Sequence, residues 1–167
     1  ELRLLIIDNT TYKPSRWKRF KSIYLNNFLY NLYLHFLIKP SAQEPVDMTK
    51  EFSKAMRMEC SVNKKKYSEY FCDRDIEKIK SHKLDFILRF GFNIIRGEIL
   101  EAAAYGVWSF HHGDEMKYRG GPPGFWEIYN NECTTGVVLQ RLTERLDGGV
   151  ILKSGSFKTE SSSYEIQ

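Results

Sequence analysis

Cysteine is scarce in this chain: three in 167 residues, at Cys60, Cys72 and Cys133, with no Cys-x-x-Cys spacing. An odd number without paired spacing indicates neither a disulfide framework nor a cysteine zinc site, and a reducing, cytoplasmic setting suits it best. Long apolar runs are lacking too. The most apolar stretch, Phe28 to Ile38, is interrupted by Asn31 and His35 and is far shorter than the roughly 20 residues of a membrane span. No signal-peptide pattern opens the sequence and no internal repeat is visible, so a soluble protein is expected. A strong charge of one sign is also missing. With 25 Lys and Arg against 21 Asp and Glu, the formal charge is +4, which permits weak attraction to anions without arguing for a nucleic-acid partner.

What is present is a globular balance, 42% hydrophobic and 14% aromatic against 28% charged, in a length that suits one well-cored domain. "LRLLIID", Leu2 to Asp8, reads as a strand buried on both faces. Because the chain starts at Glu1 and enters this strand at once, an internal piece of a longer polypeptide is expected. Trp17, Phe20, Tyr24, Phe28, Leu32 and Phe36 recur at spacings of three and four between Pro14 and Pro40, predicting a long amphipathic helix from Ser15 to about Ile38. A polar connection from about Pro40 to Ser68 is expected to carry a short strand around Met56 to Val62. A helix follows, with Ser68 or Asp73 as its cap and an Ile76, Ile79 apolar edge. "LDFILRF", Leu84 to Phe90, reads as another buried strand. A turn and short helix over "GFNIIRGEILEAAAYG" lead to the strand "GVWSFH", then a helix over Phe125 to Asn130 and strands over "TGVVLQRL" and "GVILKSGSFKT". Strands alternating with helices predict an α/β fold with a parallel sheet.

Chemistry concentrates in "GVWSFHHGDEMKYRGGPPGFWE", Gly106 to Glu127. Residues i and i+2 of a strand share a face, so Ser109 and His111 are expected to point one way, with Trp108 and Phe110 turned into packing. Open parallel sheets bind ligands at the carboxyl ends of their strands, where this pair would stand. Paired histidines are more often plain surface residues. A metal is not expected, because adjacent strand side chains diverge and no further His is well placed. Gly120-Gly121-Pro122-Pro123 by itself is an ordinary turn, as is Asp147 before Gly148-Gly149.

Taken together, Ser109-Phe110-His111, Tyr118-Arg119-Gly120, Thr135-Gly136-Val137 and Leu146-Asp147-Gly148-Gly149 resemble, in order and spacing, the motifs of the folate-dependent formyltransferase family. That family includes methionyl-tRNA, glycinamide ribonucleotide and sugar N-formyltransferases and formyltetrahydrofolate deformylase. The resemblance runs from about Asp85 to Leu152. It implies a Rossmann-like α/β formyltransferase fold over residues 1–167, with a mostly parallel central sheet and helices on both faces, lacking the first strand-helix unit. It implies 10-formyltetrahydrofolate as formyl donor and no metal. An amine acceptor would attack the formyl carbon, and His111 would stabilise the resulting oxyanion while Asp147 orients the imidazole. Ser109 stands where the family has Asn, and His112 where it has Pro. The folate would meet main-chain groups near Ile94, Ile95 and Arg96 and the loop at Thr143 and Glu144. A small amine, an amino sugar above all, is favoured as acceptor over tRNA, although the basic run Lys13, Arg16, Lys18, Arg19 and Lys21 could touch phosphate. Hydrolysis of the donor, and folate binding without turnover, remain the alternatives.

Overall fold

The computed structural model describes residues 2–10, 46–114, 116–118, 124–146 and 148–159; the helix expected over Ser15 to Ile38 and the basic run at its start lie outside them. Contacts divide the chain into two compact units, Glu1–Thr10 with Lys54–Thr159, and Thr11–Ser53 with Glu160–Gln167. In the second unit the described stretch, 46–53, is a turn in which Thr49 N–H donates to Asp47 Oδ1 at 2.9 Å and Phe52 N–H to Met48 O at 3.1 Å.

The first unit opens with β1 (Leu4–Asp8), which pairs parallel with β2 (Met56–Cys60) from Leu4 opposite Met56 to Asp8 opposite Cys60. Next, β3 (Val62–Lys65) turns back antiparallel into β4 (Ser68–Phe71), and β6 (Ile94–Arg96) lies parallel to β4. A third group orders β5 (Ile87–Leu88), β7 (Val107–His112), β8 (Thr134–Arg141) and β9 (Val150–Lys158). The β5–β7 pair is parallel and the rest of this group antiparallel. Three of the six pairings among the described residues are therefore parallel, a mixed α/β arrangement. Helix α1 (Asp73–Ser81), a 3-10 helix (Glu98–Glu101) and helix α2 (Phe125–Tyr129) connect them. Among the described residues no helix is long and apolar enough to cross a membrane.

Several local expectations change. Ser68 opens β4 rather than capping a helix, because Glu69 and Phe71 are buried at strand period two. Asp73 is the first helical residue, and α1 starts behind Cys72 with no side-chain cap, Cys72 O accepting from Asp75 and Ile76 N–H at 3.0 and 3.1 Å. Asp73 and Asp75 in the first turn and Lys78 and Lys80 in the last complement the helix dipole instead. The strands expected to be buried on both faces are half-covered: Ile7, Phe86, Leu88 and Phe90 are exposed. Only Ile87–Leu88 of "LDFILRF" joins a ladder, and Ile94–Arg96, expected in a turn, forms a strand.

One core holds the unit together. Cys60, Ile79, Ile99 and Val107 are fully buried, with Leu4, Phe71, Ile76 and Ile95 closing around them. Each such Ile or Val contributes on the order of 1.5–3 kcal/mol. Val107 anchors β7 at its first residue, so the strand's far end is presented from a fixed base. Burial, and then the Asp75 carboxylate, push the Cys60 thiol up to about 11. Because thiolate is the reactive form and Cys72 and Cys133 are exposed, iodoacetamide at pH 8 should label those two and spare Cys60 until the protein is unfolded. Mass spectrometry of the alkylated peptides checks this, and modification of Cys60 in the folded protein would refute it.

Candidate active site along strand β7

Along β7 the faces alternate opposite to expectation. Val107 and Ser109 are buried and His111 half-buried on one face, while Phe110 and His112 on the other are exposed. Trp108 is half-buried against Phe86, ring centroids 4.1 Å apart, and donates its indole N–H to Tyr105 O at 2.8 Å. Ser109 and His111 do share a face, but it is the packed one, because Val107 on that face is pinned in the core and the two-residue period carries the rest with it. Ser109 is also mid-strand rather than at the carboxyl end, and its hydroxyl donates to Phe110 O at 3.2 Å. His111 Nδ1 is buried with no hydrogen-bond partner among the described residues. A buried imidazole nitrogen without a partner is costly and leaves this group free to act on something brought to it.

The chain after His112 is folded back onto β8. Gly113, at φ 99°, donates its N–H to Gly136 O at 2.8 Å. Gly136 has no room for a side chain, since a Cβ there would stand 2.8 Å from Asp114 N. This gives the Thr135-Gly136-Val137 motif a physical reason: the glycine admits the backbone of the loop leaving β7. Asp114 then organises that loop, its carbonyl accepting from Lys117 and Tyr118 N–H and its Oδ1 from Met116 N–H. Tyr118 hydroxyl donates to Glu132 Oε1 at 2.9 Å, beside Lys117 Nζ at 3.2 Å from Glu132 Oε2. The Tyr118 hydroxyl first, then Lys117, hold the Glu132 carboxyl below the usual range.

A second cluster forms where β8 leaves the ladder. Leu142 N–H donates to Val107 O at 2.7 Å, so Thr143 and Glu144 follow at the start of β7, away from His111 by about 13 Å of strand rise. Arg96 Nη1 donates to Glu144 O and lies 3.5 Å from Glu144 Oε2, Gly97 N–H donates to Glu144 Oε1, and Arg96 Nε reaches Ser68 Oγ at 3.2 Å. Thr143 Oγ1 donates to Gly148 O at 2.9 Å. The two segments expected to meet the folate, at Ile94, Ile95 and Arg96 and at Thr143 and Glu144, are thus joined directly. Ile95 packs its side chain into the core, and β6 is the outer strand of its sheet, leaving one side of its main chain out of the ladder. Asp147 and the run from Arg119 to Pro123 lie outside the described residues. Among those described, no three His, Cys, Asp or Glu side chains are grouped to hold a metal ion.

Sequence reasoning passed over Glu127. It is 3% exposed, and its Oε1 is buried with no partner among the described residues. Nothing in "FWEIY" distinguishes it from a solvated helix carboxylate; only the packing of α2 does.

No family model matches the chain. Phosphoribosylglycinamide formyltransferase from Bacillus halodurans is similar in structure, with a TM-score of 0.50 at 16% identity, covering 99% of this chain and 70% of that one. A formyltetrahydrofolate deformylase from Pseudomonas syringae pv. tomato str. DC3000 also scores 0.50, at 17% identity over 67% of this chain and 38% of its own. The chain therefore has the Rossmann-like α/β formyltransferase fold, and the resemblance to the folate-dependent formyltransferase family stands. In sequence it is 37% identical over 86 residues to the bifunctional polymyxin resistance protein ArnA of Wigglesworthia glossinidia brevipalpis, a match covering 51% of this chain and 13% of that relative's length.

Two outcomes follow from this geometry. Gly136→Ala should cost roughly 1–3 kcal/mol and speed exchange of the Gly113 amide, read by urea unfolding and hydrogen exchange; unchanged values would remove the steric role. In Tyr118→Phe the Glu132 carboxyl should titrate at higher pH than in the wild type, because the largest of the interactions that lower it is gone. Since its folded value is the lowered one, its contribution is present above the ordinary carboxylate range and lost as pH falls through the lowered value. A carbon-13 titration that leaves Glu132 unmoved would contradict the assignment.

Proposed function

We propose that the chain acts in transfer of a formyl group from 10-formyltetrahydrofolate to an amine, with residues 1–167 as one formyltransferase-like domain. The observation that carries the reading is the Nδ1 of His111, which has no hydrogen-bond partner among the described residues and is buried one residue beyond exposed Phe110, on the same face as Ser109, within a chain of this fold. The folate supplies an activated formyl group. The acceptor nitrogen forms a bond to the formyl carbon, the bond from that carbon to folate N10 breaks, the acceptor gives up a proton and N10 gains one.

The chain's own groups divide the work. His111 stabilises the negative charge that develops on the formyl oxygen, an effect that removal of one such donor typically reveals as a rate loss of about a hundred- to a thousandfold. Ser109, standing where the family has Asn, must turn its hydroxyl from Phe110 O to assist. Asp147 is assigned the role of orienting the imidazole. The Arg96–Glu144 contact supports a folate pocket made by Ile94, Ile95, Arg96, Thr143 and Glu144, in which the outer main-chain edge of β6 meets the pterin's donors and acceptors. The acceptor is a small amine, an amino sugar ahead of tRNA. A cytoplasmic location fits three free cysteines.

The test is turnover with 10-formyltetrahydrofolate and a panel of amino sugars, amino acids and charged tRNA, following both donor loss and formate. Donor loss should require an amine and should fall at least a hundredfold in His111→Ala, while Ser109→Asn retains activity. Formate release without any amine would replace transfer by hydrolysis. Equal rates for wild type and His111→Ala would sink the assignment of His111.

A further inference from the structure

A cavity of about 410 Å³ opens past the carboxyl end of β7, bounded by Asp114 and Met116 to Tyr118, Glu127 of α2, Glu132, and strands β8 and β9. Its size falls within the ~300–1,000 Å³ of small-molecule sites. Residues directly opposite in a ladder share a face. His111 is opposite Val138, which is opposite Ser154, and Gly136 is opposite Ser156. Val138, Ser154 and Ser156 line the cavity, so the cavity lies on the same sheet face as Ser109 and His111, past the carboxyl end of β7.

Its lining is chemically lopsided. Among the described lining residues three carboxylates, Asp114, Glu127 and Glu132, stand against one ammonium, Lys117, and Lys117 is paired with Glu132. Glu127 is 3% exposed and its Oε1 has no hydrogen-bond partner among the described residues; an acceptor atom withdrawn from water in this way is costly, and a cationic donor relieves the cost. Along the opposite wall Ser154 and Ser156 offer hydroxyls that both donate and accept.

We infer that this cavity holds the acceptor, and that the acceptor is an unphosphorylated, hydroxylated primary amine. Its ammonium faces Glu127 and Asp114, and its hydroxyls face Ser154 and Ser156. The inference rests on the formyl-transfer reading and narrows it, since the same carboxylates repel a phosphate monoester. Glu127 is then the residue that selects for charge, while His111 lies within the same face to meet the formyl group.

The test is titration of the whole chain with D-glucosamine, D-glucose and D-glucosamine 6-phosphate, followed by calorimetry and by amide shifts. Glucosamine should bind with shifts at Glu127, Ser154 and Ser156, and glucose and the phosphate at least tenfold more weakly. Glu127→Gln should weaken glucosamine at least tenfold and leave 10-formyltetrahydrofolate binding unchanged. If that variant fails to fold, Ser154→Ala with Ser156→Ala, on the exposed strand β9, should weaken glucosamine severalfold. Equal binding of glucosamine and glucose, or undiminished binding in these variants, would overturn the assignment. Cavity binding without any donor turnover would overturn formyl transfer and leave the cavity standing; transfer to another amine with no glucosamine bound would do the reverse.

Discussion

The return of the chain from His112 onto β8 is the constraint on which the site depends. Gly113 turns through a left-handed conformation and bonds to Gly136 O, and Asp114 passes so close over Gly136 that no side chain fits beneath it. Without that approach the loop carrying Asp114 and Tyr118 would have no seat, the Tyr118–Glu132–Lys117 network would lose its support, and the cavity past the end of β7 would be open on that side. A hydrogen bond and an absent methyl group thus fix the surroundings of a side chain two residues upstream.

The core supplies the other end of the same lever. Val107 is fully buried among Ile79, Ile99 and Cys60, and β7 runs from that anchor toward its exposed terminus. Because strand side chains alternate strictly, pinning Val107 decides that Ser109 and His111 face inward and Phe110 outward. The Ser109–His111 face is consequently a packed, partly dry one, where a polar atom interacts more strongly than it would in water. The Arg96–Glu144 contact closes the opposite end, so the two candidate ligand regions are arranged along one strand rather than at a single strand tip.

Much of this was legible in the residues. The strands over "LRLLIID", "GVWSFH", "TGVVLQRL" and "GVILKSGSFKT" and the Ile76–Ile79 edge of α1 are visible because apolar spacing is a local property. The four motifs in register pointed to the fold. What was not legible depends on nonlocal packing: Ser68 in a strand, the brevity of β5, the strand at Ile94–Arg96, and which face of β7 is covered. Trp108 and Phe110 are the more hydrophobic pair, so composition alone turns them inward; the position of Val107 in the core turns them out.

The sequence by itself determined the secondary-structure periods and the chemical inventory of Ser109, His111, Arg96 and Glu144. Only the tertiary structure decided that position 136 has no room for a side chain, that Glu127 Oε1 is buried with no partner among the described residues, that Arg96 meets Glu144 across 48 residues of chain, and that a cavity with three described carboxylates shares a face with His111. The physical reason is that burial and hydrogen-bond satisfaction are properties of what comes close in space, and no spacing along the chain specifies which side chains will be left without a partner when it folds.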